Sequence, residues 1–267
     1  MFEGTMRRVS SDARTTGERM FWILPWGQEN RVKHVPWATY ALIAINVAVH
    51  ALVALNVSPD DDGFLMRYAL PADGWRPYQL LTSSFLHADV FHLFGNMLFL
   101  WLFGESIEDA LGPLAFLTVY FVGGVLGDLV YVHNNVGSIP SLGASGCVAA
   151  IAGAYGAMFY DRTIDIRAFF LIFPIGTFAV RAFVVVLLWF GLDLWLTWTS
   201  AGRMDETDTV NYVVHGVGFA VGALVGVVAR LQGVMRRYER LSRGHAWWGY
   251  WPDSLERRYG RAPSRRR

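Results

Sequence analysis

The chain has 267 residues, of which 54% are hydrophobic, 15% aromatic and only 17% charged, with a formal net charge of +1. A soluble domain carries about a quarter charged residues, so this composition excludes an ordinary water-soluble globule. The near-neutral balance gives no case for nucleic acid, and the single cysteine, Cys147, excludes an internal disulfide and a cysteine-based metal site.

The charges that exist sit at the two ends. Residues 1–36 and 230–267 hold 17 of the 23 Lys and Arg side chains, and the sequence between them is nearly continuous apolar chain. This is the pattern of an all-α polytopic membrane protein with two basic tails. The first 20 residues are polar and Arg-rich, without the apolar core of a signal peptide, so the first span serves as its own insertion signal.

Six spans are expected in chain order, roughly 37–57, 90–103, 114–132, 143–160, 178–198 and 210–230. Each approaches the ~20 residues that cross a bilayer, although the second is short. Six Lys and Arg in the N-terminal tail, eleven from Arg230 onward, and Arg162 and Arg167 after the fourth span put both termini on the cytoplasmic side. The opposite side holds Arg67, Arg76 and Arg203 with the acidic stretches 60–62 and 205–208. The chain thus divides into a cytoplasmic tail (1–36), a membrane domain (37–232) and a basic, aromatic cytoplasmic tail (233–267). The lack of targeting signals suggests the plasma membrane. The connection from Ser58 to His87 is long and carries Phe64, Leu65, Tyr68, Trp75 and Tyr78, which suits the membrane interface. Connections of such length are commonly functional.

Polar groups inside hydrocarbon are costly and mark functional sites. With this orientation the second, fourth and sixth spans all run inward. His87, His92 and Asn96, Ser145, and His215 then fall at similar depth beneath the outer face. A serine hydroxyl becomes a nucleophile when a base removes its proton, and a buried neutral His215 can be that base. Ser145 in a first helical turn has unpartnered backbone N–H groups around it, a ready oxyanion site. His92 and Asn96 are four apart and share a helix face, so both can donate to one oxygen. Gly143 and Gly146 leave room for a substrate carbonyl. Asn211, one turn before His215, can orient it. The bland readings are a capping serine, close helix packing by small residues, and a helix-packing histidine beside Gly218, Gly222 and Gly226.

These residues together resemble the rhomboid family of intramembrane serine proteases. The similarity covers roughly residues 37–230. Trp75-Arg76 resembles the family's pair in the first loop, and LLTSSFLHADVFHLFGN (80–96) its second-span signature. Gly104, Glu108 and Gly112 match G-x-x-x-E-x-x-x-G, Ser145 sits in GASG, and His215, Gly218 and Gly222 match H-x-x-G-x-x-x-G. The resemblance implies a six-transmembrane-helix rhomboid-like bundle with a Ser145–His215 dyad. His92, Asn96 and the Ser145 N–H would form the oxyanion hole, and Trp75, Arg76, His87, Glu108, Gly143, Gly146, Gly218 and Gly222 the structural motif. It implies single-pass transmembrane proteins as substrates, cut near their extracellular ends, with no metal or cofactor. The long first loop and the fifth span would form a lateral gate. Two positions depart from the family pattern. Ala149 stands where an aromatic often stacks on the catalytic histidine, and Val214 where alanine is usual. Cys147 should face away from Ser145 and pack.

Two rival classes remain: a proton-coupled transporter built on Asp128 and Asp193, which would otherwise be hydrated near the outer interface, and a catalytically dead relative that binds membrane proteins. Oligomeric state is not legible from these residues.

Overall fold

The computed structural model of the protein describes residues 21–30, 32–58, 61–134, 140–200 and 212–242. Their order is β1 (Phe21–Gln28), α1 (Trp37–Asn56), α2 (Asp62–Tyr68), α3 (Gln79–Thr82), a 3-10 turn (Ser83–Phe85), α4 (Val90–Leu111) and α5 (Pro113–His133). Then come α6 (Ser145–Met158), β2 (Thr163–Phe170), β3 (Phe173–Arg181), α7 (Ala182–Ser200), α8 (Tyr212–Leu231) and α9 (Val234–Ser242). Asn211 lies outside the described residues, as do the Asp193 side chain and residues 243–267.

A helix occupies each of the six positions expected for a span. Four of them, α1, α4, α5 and α8, are long and apolar enough to cross a membrane. The 14-residue α6 and the apolar part of α7, Ala182–Leu192, are shorter. The protein is therefore a multi-pass membrane protein, and α6 is its centre. Every residue from Gly146 to Ala154 is buried, so this helix meets other helices rather than lipid.

Glycines set how closely α5, α6 and α8 approach. A Cβ on Gly222 would stand 1.7 Å from the Ala150 carbonyl oxygen, and one on Gly218 2.3 Å from that of Gly146. One on Gly153 would meet the Phe219 oxygen at 2.2 Å, and one on Gly123 the Ala150 Cβ at 2.2 Å. No side chain fits at these crossings. The helices pack backbone to backbone, as small residues permit in a membrane.

The expectation of an all-α fold needs correction. The described residues include a three-stranded antiparallel sheet in the order β1-β2-β3. Its first strand comes from the segment expected to be a tail, and its third takes up the start of the expected fifth span. Helix α7 begins only at Ala182. Phe21 pairs with Phe170 and Phe170 with Phe173, while Thr163 pairs with Arg181. The stretch is rich in Phe and Ile, which suit a pleated surface as well as a span.

The second span is also longer than expected, reaching Leu111 rather than Phe103. Its polar last turns are satisfied instead of ending the helix. Glu108, buried, caps α1 from across the bundle: its carboxylate accepts from Ala38 N (2.9 Å), Thr39 N (2.7 Å) and Thr39 Oγ1 (2.8 Å). The α1 N-cap is Pro36, which supplies no side-chain bond, so this carboxylate replaces the missing cap and complements the helix dipole. Asp109 beside it accepts from the backbone N–H groups of Lys33 and His34 at 3.0 Å and from Tyr238 Oη at 2.9 Å. Lys33 Nζ lies 3.0 Å over the Tyr238 ring, and burial pulls its pKa down to about 8. One helix end thus ties together the N-terminal segment, α4 and α9. Gly112, at φ 83°, then stops α4, and Pro113 opens α5.

Replacing Glu108 by alanine leaves buried α1 N–H groups without acceptors, at about 3 kcal/mol for charge-assisted bonds. The melting temperature of purified Glu108→Ala protein is expected to fall by roughly 5–10 °C, and an unchanged value would contradict this capping role.

Candidate active site

Ser145 is the first residue of α6, half-buried, and the helix has no side-chain cap at Ala144. The first intrahelical bond runs from Val148 N to Ala144 O (2.9 Å), so the N–H groups of Ser145, Gly146 and Cys147 precede the helical ladder. The loop entering α6 is pinned at three points. Leu70 and Ser141 exchange backbone bonds of 2.9 and 2.8 Å, Gly143 N donates to Ser83 O at 2.9 Å, and Ser141 Oγ donates to Asp128 Oδ1 at 3.2 Å. Asp128 is thus a buried clamp on this loop, which excludes the hydrated alternative for this carboxylate.

The loop's shape brings His92 to Ser145. Gly143 has φ 118°, and a Cβ there would lie 2.8 Å from His92 Cε1, 2.9 Å from His92 Nε2 and 3.7 Å from Ser145 Oγ. The imidazole of α4 and the hydroxyl of α6 therefore flank the same stretch of backbone, held in a conformation that favours glycine. Asp89 fixes this end of α4: its carboxylate accepts from Phe91 N (2.7 Å) and His92 N (2.9 Å), and those bonds, His92's first, hold it below the usual carboxylate range. One turn deeper, buried Asn96 has an Nδ2 donor with no partner among the described residues. His87 packs edge-on to His92 with ring centroids 5.3 Å apart, and to His50 of α1 at 6.4 Å.

From the other side, α8 presses on the same turn of α6. A Cβ on Gly146 would stand 2.4 Å from Val214 Cγ1, and one on Gly218 only 2.3 Å from Gly146 O. His215, buried, lies between these two contacts in sequence, so its helical turn abuts that of Ser145. Gly127 of α5 closes the third side, where a Cβ would be 2.7 Å from Val214 O. Val214 is thus wedged between α5 and α6. Ala149 is fully buried against Gly218, so no ring at that position backs His215. Cys147 is buried against Gly124, with its thiol 3.7 Å from Ser84 Oγ, as expected of a packing residue.

Trp75 is half-buried in a small cluster with Leu70, Tyr131 and Val214, one residue from His215. The Arg76 side chain is exposed, and its backbone N–H donates to Gln79 Oε1 at 2.6 Å. Gln79 in turn donates to the carbonyls of Met66 and Arg67, so the long connection is folded rather than loose.

Several supporting residues escaped the sequence reading. Asp89 could have been found, since an aspartate before an apolar run is an N-cap signature. Ser83, Ser141 and Leu70 act through backbone or long-range bonds that carry no local signal.

Comparison with known proteins follows the same residues. The Rhomboid domain profile matches residues 74–232, more than half of the chain. The chain belongs to the rhomboid family. It is 29% identical over 215 residues to "Rhomboid protein 1, mitochondrial" of Saccharomyces cerevisiae, covering 78% of this chain and 58% of that protein. It is 29% identical over 197 residues to "Rhomboid protease GluP" of Bacillus subtilis, covering 71% of this chain and 35% of that protein. It is also 40% identical over 84 residues to "Inactive RHOMBOID-like protein 8" of Arabidopsis thaliana, covering 30% of this chain and 22% of that protein. The chain spans less than two thirds of each relative.

Two outcomes test this geometry. Gly143→Ala is expected to displace the His92 ring, cut labelling by a serine-directed fluorophosphonate at least about tenfold and lower the melting temperature by roughly a few degrees; full labelling would contradict the contact. Burial, then the neighbouring His92 and His50, pushes the His87 pKa from 6.5 down to about 4. Below pH 6.5 the unfolded chain binds a proton there that the folded protein refuses, so this group lowers stability as the pH falls from 6.5 toward 4. The drop in melting temperature between pH 7 and pH 5 is expected to shrink in His87→Gln, and an equal drop would count against burial of this imidazole.

Proposed function

We propose that this rhomboid-family chain is an intramembrane serine endopeptidase that uses a Ser145–His215 dyad. The observation that carries the reading is the convergence on one turn of α6: Ser145 at its first residue, the His92 ring over Gly143, and the Val214–Gly218 turn of α8 against Gly146.

The chemistry follows from those groups. His215 takes the proton of Ser145 Oγ as that oxygen attacks the scissile carbonyl carbon. The tetrahedral oxyanion accepts hydrogen bonds from the Ser145 N–H, the unpartnered Asn96 amide and His92. Collapse expels the amine, which takes the proton back from His215, leaving an acyl-enzyme. Water, deprotonated by the same imidazole, then releases the new carboxylate and restores the serine. No carboxylate partner of His215 is invoked, and catalysis without one should be slow.

In this reading all six apolar helices cross the membrane. The 14 residues of α6 span roughly 21 Å, less than the ~30 Å hydrocarbon core, so Ser145 begins below the outer surface. That depth suits the outer end of a single-pass transmembrane substrate entering beside α7. The Arg residues that cluster beyond the first and last spans support cytoplasmic placement of both flanking segments.

Asp128 counts against the transporter class, because its carboxylate is engaged by Ser141. The inactive-binder class is separated by experiment. Protein reconstituted with a single-pass model substrate is expected to cleave it, and Ser145→Ala and His215→Ala are each expected to lower the rate by at least about a thousandfold. Cleavage that survives either change would refute the dyad, and no cleavage by folded wild-type protein with a panel of such substrates would favour the binder.

A further inference from the structure

The hairpin of β2 and β3 is unlike a water-exposed turn. Between Arg167 and Arg181 runs AFFLIFPIGTFAV, 13 residues without a charge. Its tip is bare: Ile172 is 77% exposed and Phe173 64%, with Leu171 and Ile175 also exposed. The paired β1 adds exposed Phe21 and Ile23 at the same end of the sheet. A contiguous apolar surface of this kind marks a binding face or a membrane contact.

We propose that this sheet is a membrane-interface anchor, its hairpin tip seated among the headgroups and upper acyl chains of the bilayer that holds the protein. Three observations select lipid over another protein. The first is level. Eight residues separate β1 from α1, and Gln28 of β1 accepts from Ser106 Oγ near the end of α4 at 2.9 Å. That end of α1 carries exposed Trp37 and Tyr40, the aromatic pair expected where a spanning helix leaves hydrocarbon. The second is continuity. β3 passes without a break into α7, whose exposed Phe183, Leu187 and Leu188 extend the apolar surface into the membrane domain. The third is the segment itself. An uncharged stretch of this length is too short to span and suits an interfacial position, and the arginines at its two ends can keep their heads in water while the rest sinks. Arg167 already stacks over Trp26, 4.3 Å from the ring centroid.

Depth is bounded from below by hydrogen bonding. β1 and β3 are edge strands with unpaired backbone groups, which hydrocarbon would not tolerate. The sheet therefore lies at headgroup level, with only side chains reaching further.

The test uses full-length protein in phosphatidylcholine–phosphatidylglycerol vesicles with a nitroxide at one introduced cysteine: Ile172→Cys or Phe173→Cys at the tip, and Asp161→Cys at the polar end of the sheet. Native Cys147 is buried, and unmutated protein carried through the same labelling measures its contribution. Collisions with apolar oxygen are expected to exceed those with a water-soluble nickel chelate severalfold at both tip positions, with the reverse at Asp161→Cys. Nickel-dominated collisions at the tip would overturn the proposal. So would dipolar broadening between tip labels that vanishes on dilution with unlabelled protein, since it would assign the surface to a second copy.

Discussion

Everything in this molecule depends on the absence of side chains where α5, α6 and α8 cross. Apolar lipid gives helices no hydrophobic reason to associate, so the drive must come from dispersion at close range and from polar groups that find one another. Gly123, Gly153, Gly218 and Gly222 provide that range. The same proximity underlies the proposed chemistry. A turn of α8 that could not approach Gly146 would carry His215 away from Ser145, and the stabilising contact and the proposed dyad would fail together.

Around this packed centre the polar groups act as fasteners at the helix ends. Glu108 closes the open start of α1, Asp109 gathers the N-terminal segment and α9, and Asp89 fixes the start of α4. Each carboxylate accepts several N–H or O–H groups, which is how charge is tolerated near a membrane. At the opposite pole of the central helix, Asp128, Ser141, Leu70 and Ser83 hold the loop before Ser145. The site is therefore preorganised from three directions: a clamped loop, a capped helix carrying His92, and a glycine-bedded helix carrying His215. In the proposed mechanism such rigidity is what a poorly nucleophilic hydroxyl requires, since alignment must supply what a two-residue dyad lacks in basicity.

The helices were legible in the sequence because a bilayer enforces long apolar runs. The candidate site residues stood out as well, since serine, histidine and asparagine are conspicuous in such runs. The H-x-x-G-x-x-x-G stripe at His215 signalled a packing face, and that face is where Ala150 and Gly146 are met. The sheet was not legible. Its third strand is as apolar as a span, and its first lies in a polar tail with no periodic pattern of its own, so only the pairing of Phe21 with Phe170 reveals it. The end of α4 was misplaced because the apolar run stops before Glu105, Glu108 and Asp109, whereas partners 65 to 129 residues away satisfy these carboxylates within the helix. Asp128 showed as a costly carboxylate, but its partner across a turn could not be read from spacing.

The central claim is that close packing makes Ser145 an activated nucleophile. The most direct measurement is mass-spectrometric mapping of fluorophosphonate adducts on folded, detergent-purified protein, compared with His215→Ala. The account predicts an adduct on Ser145 in the wild type that disappears when His215 is removed. An adduct that persists without His215, or one carried by a different residue, would contradict it.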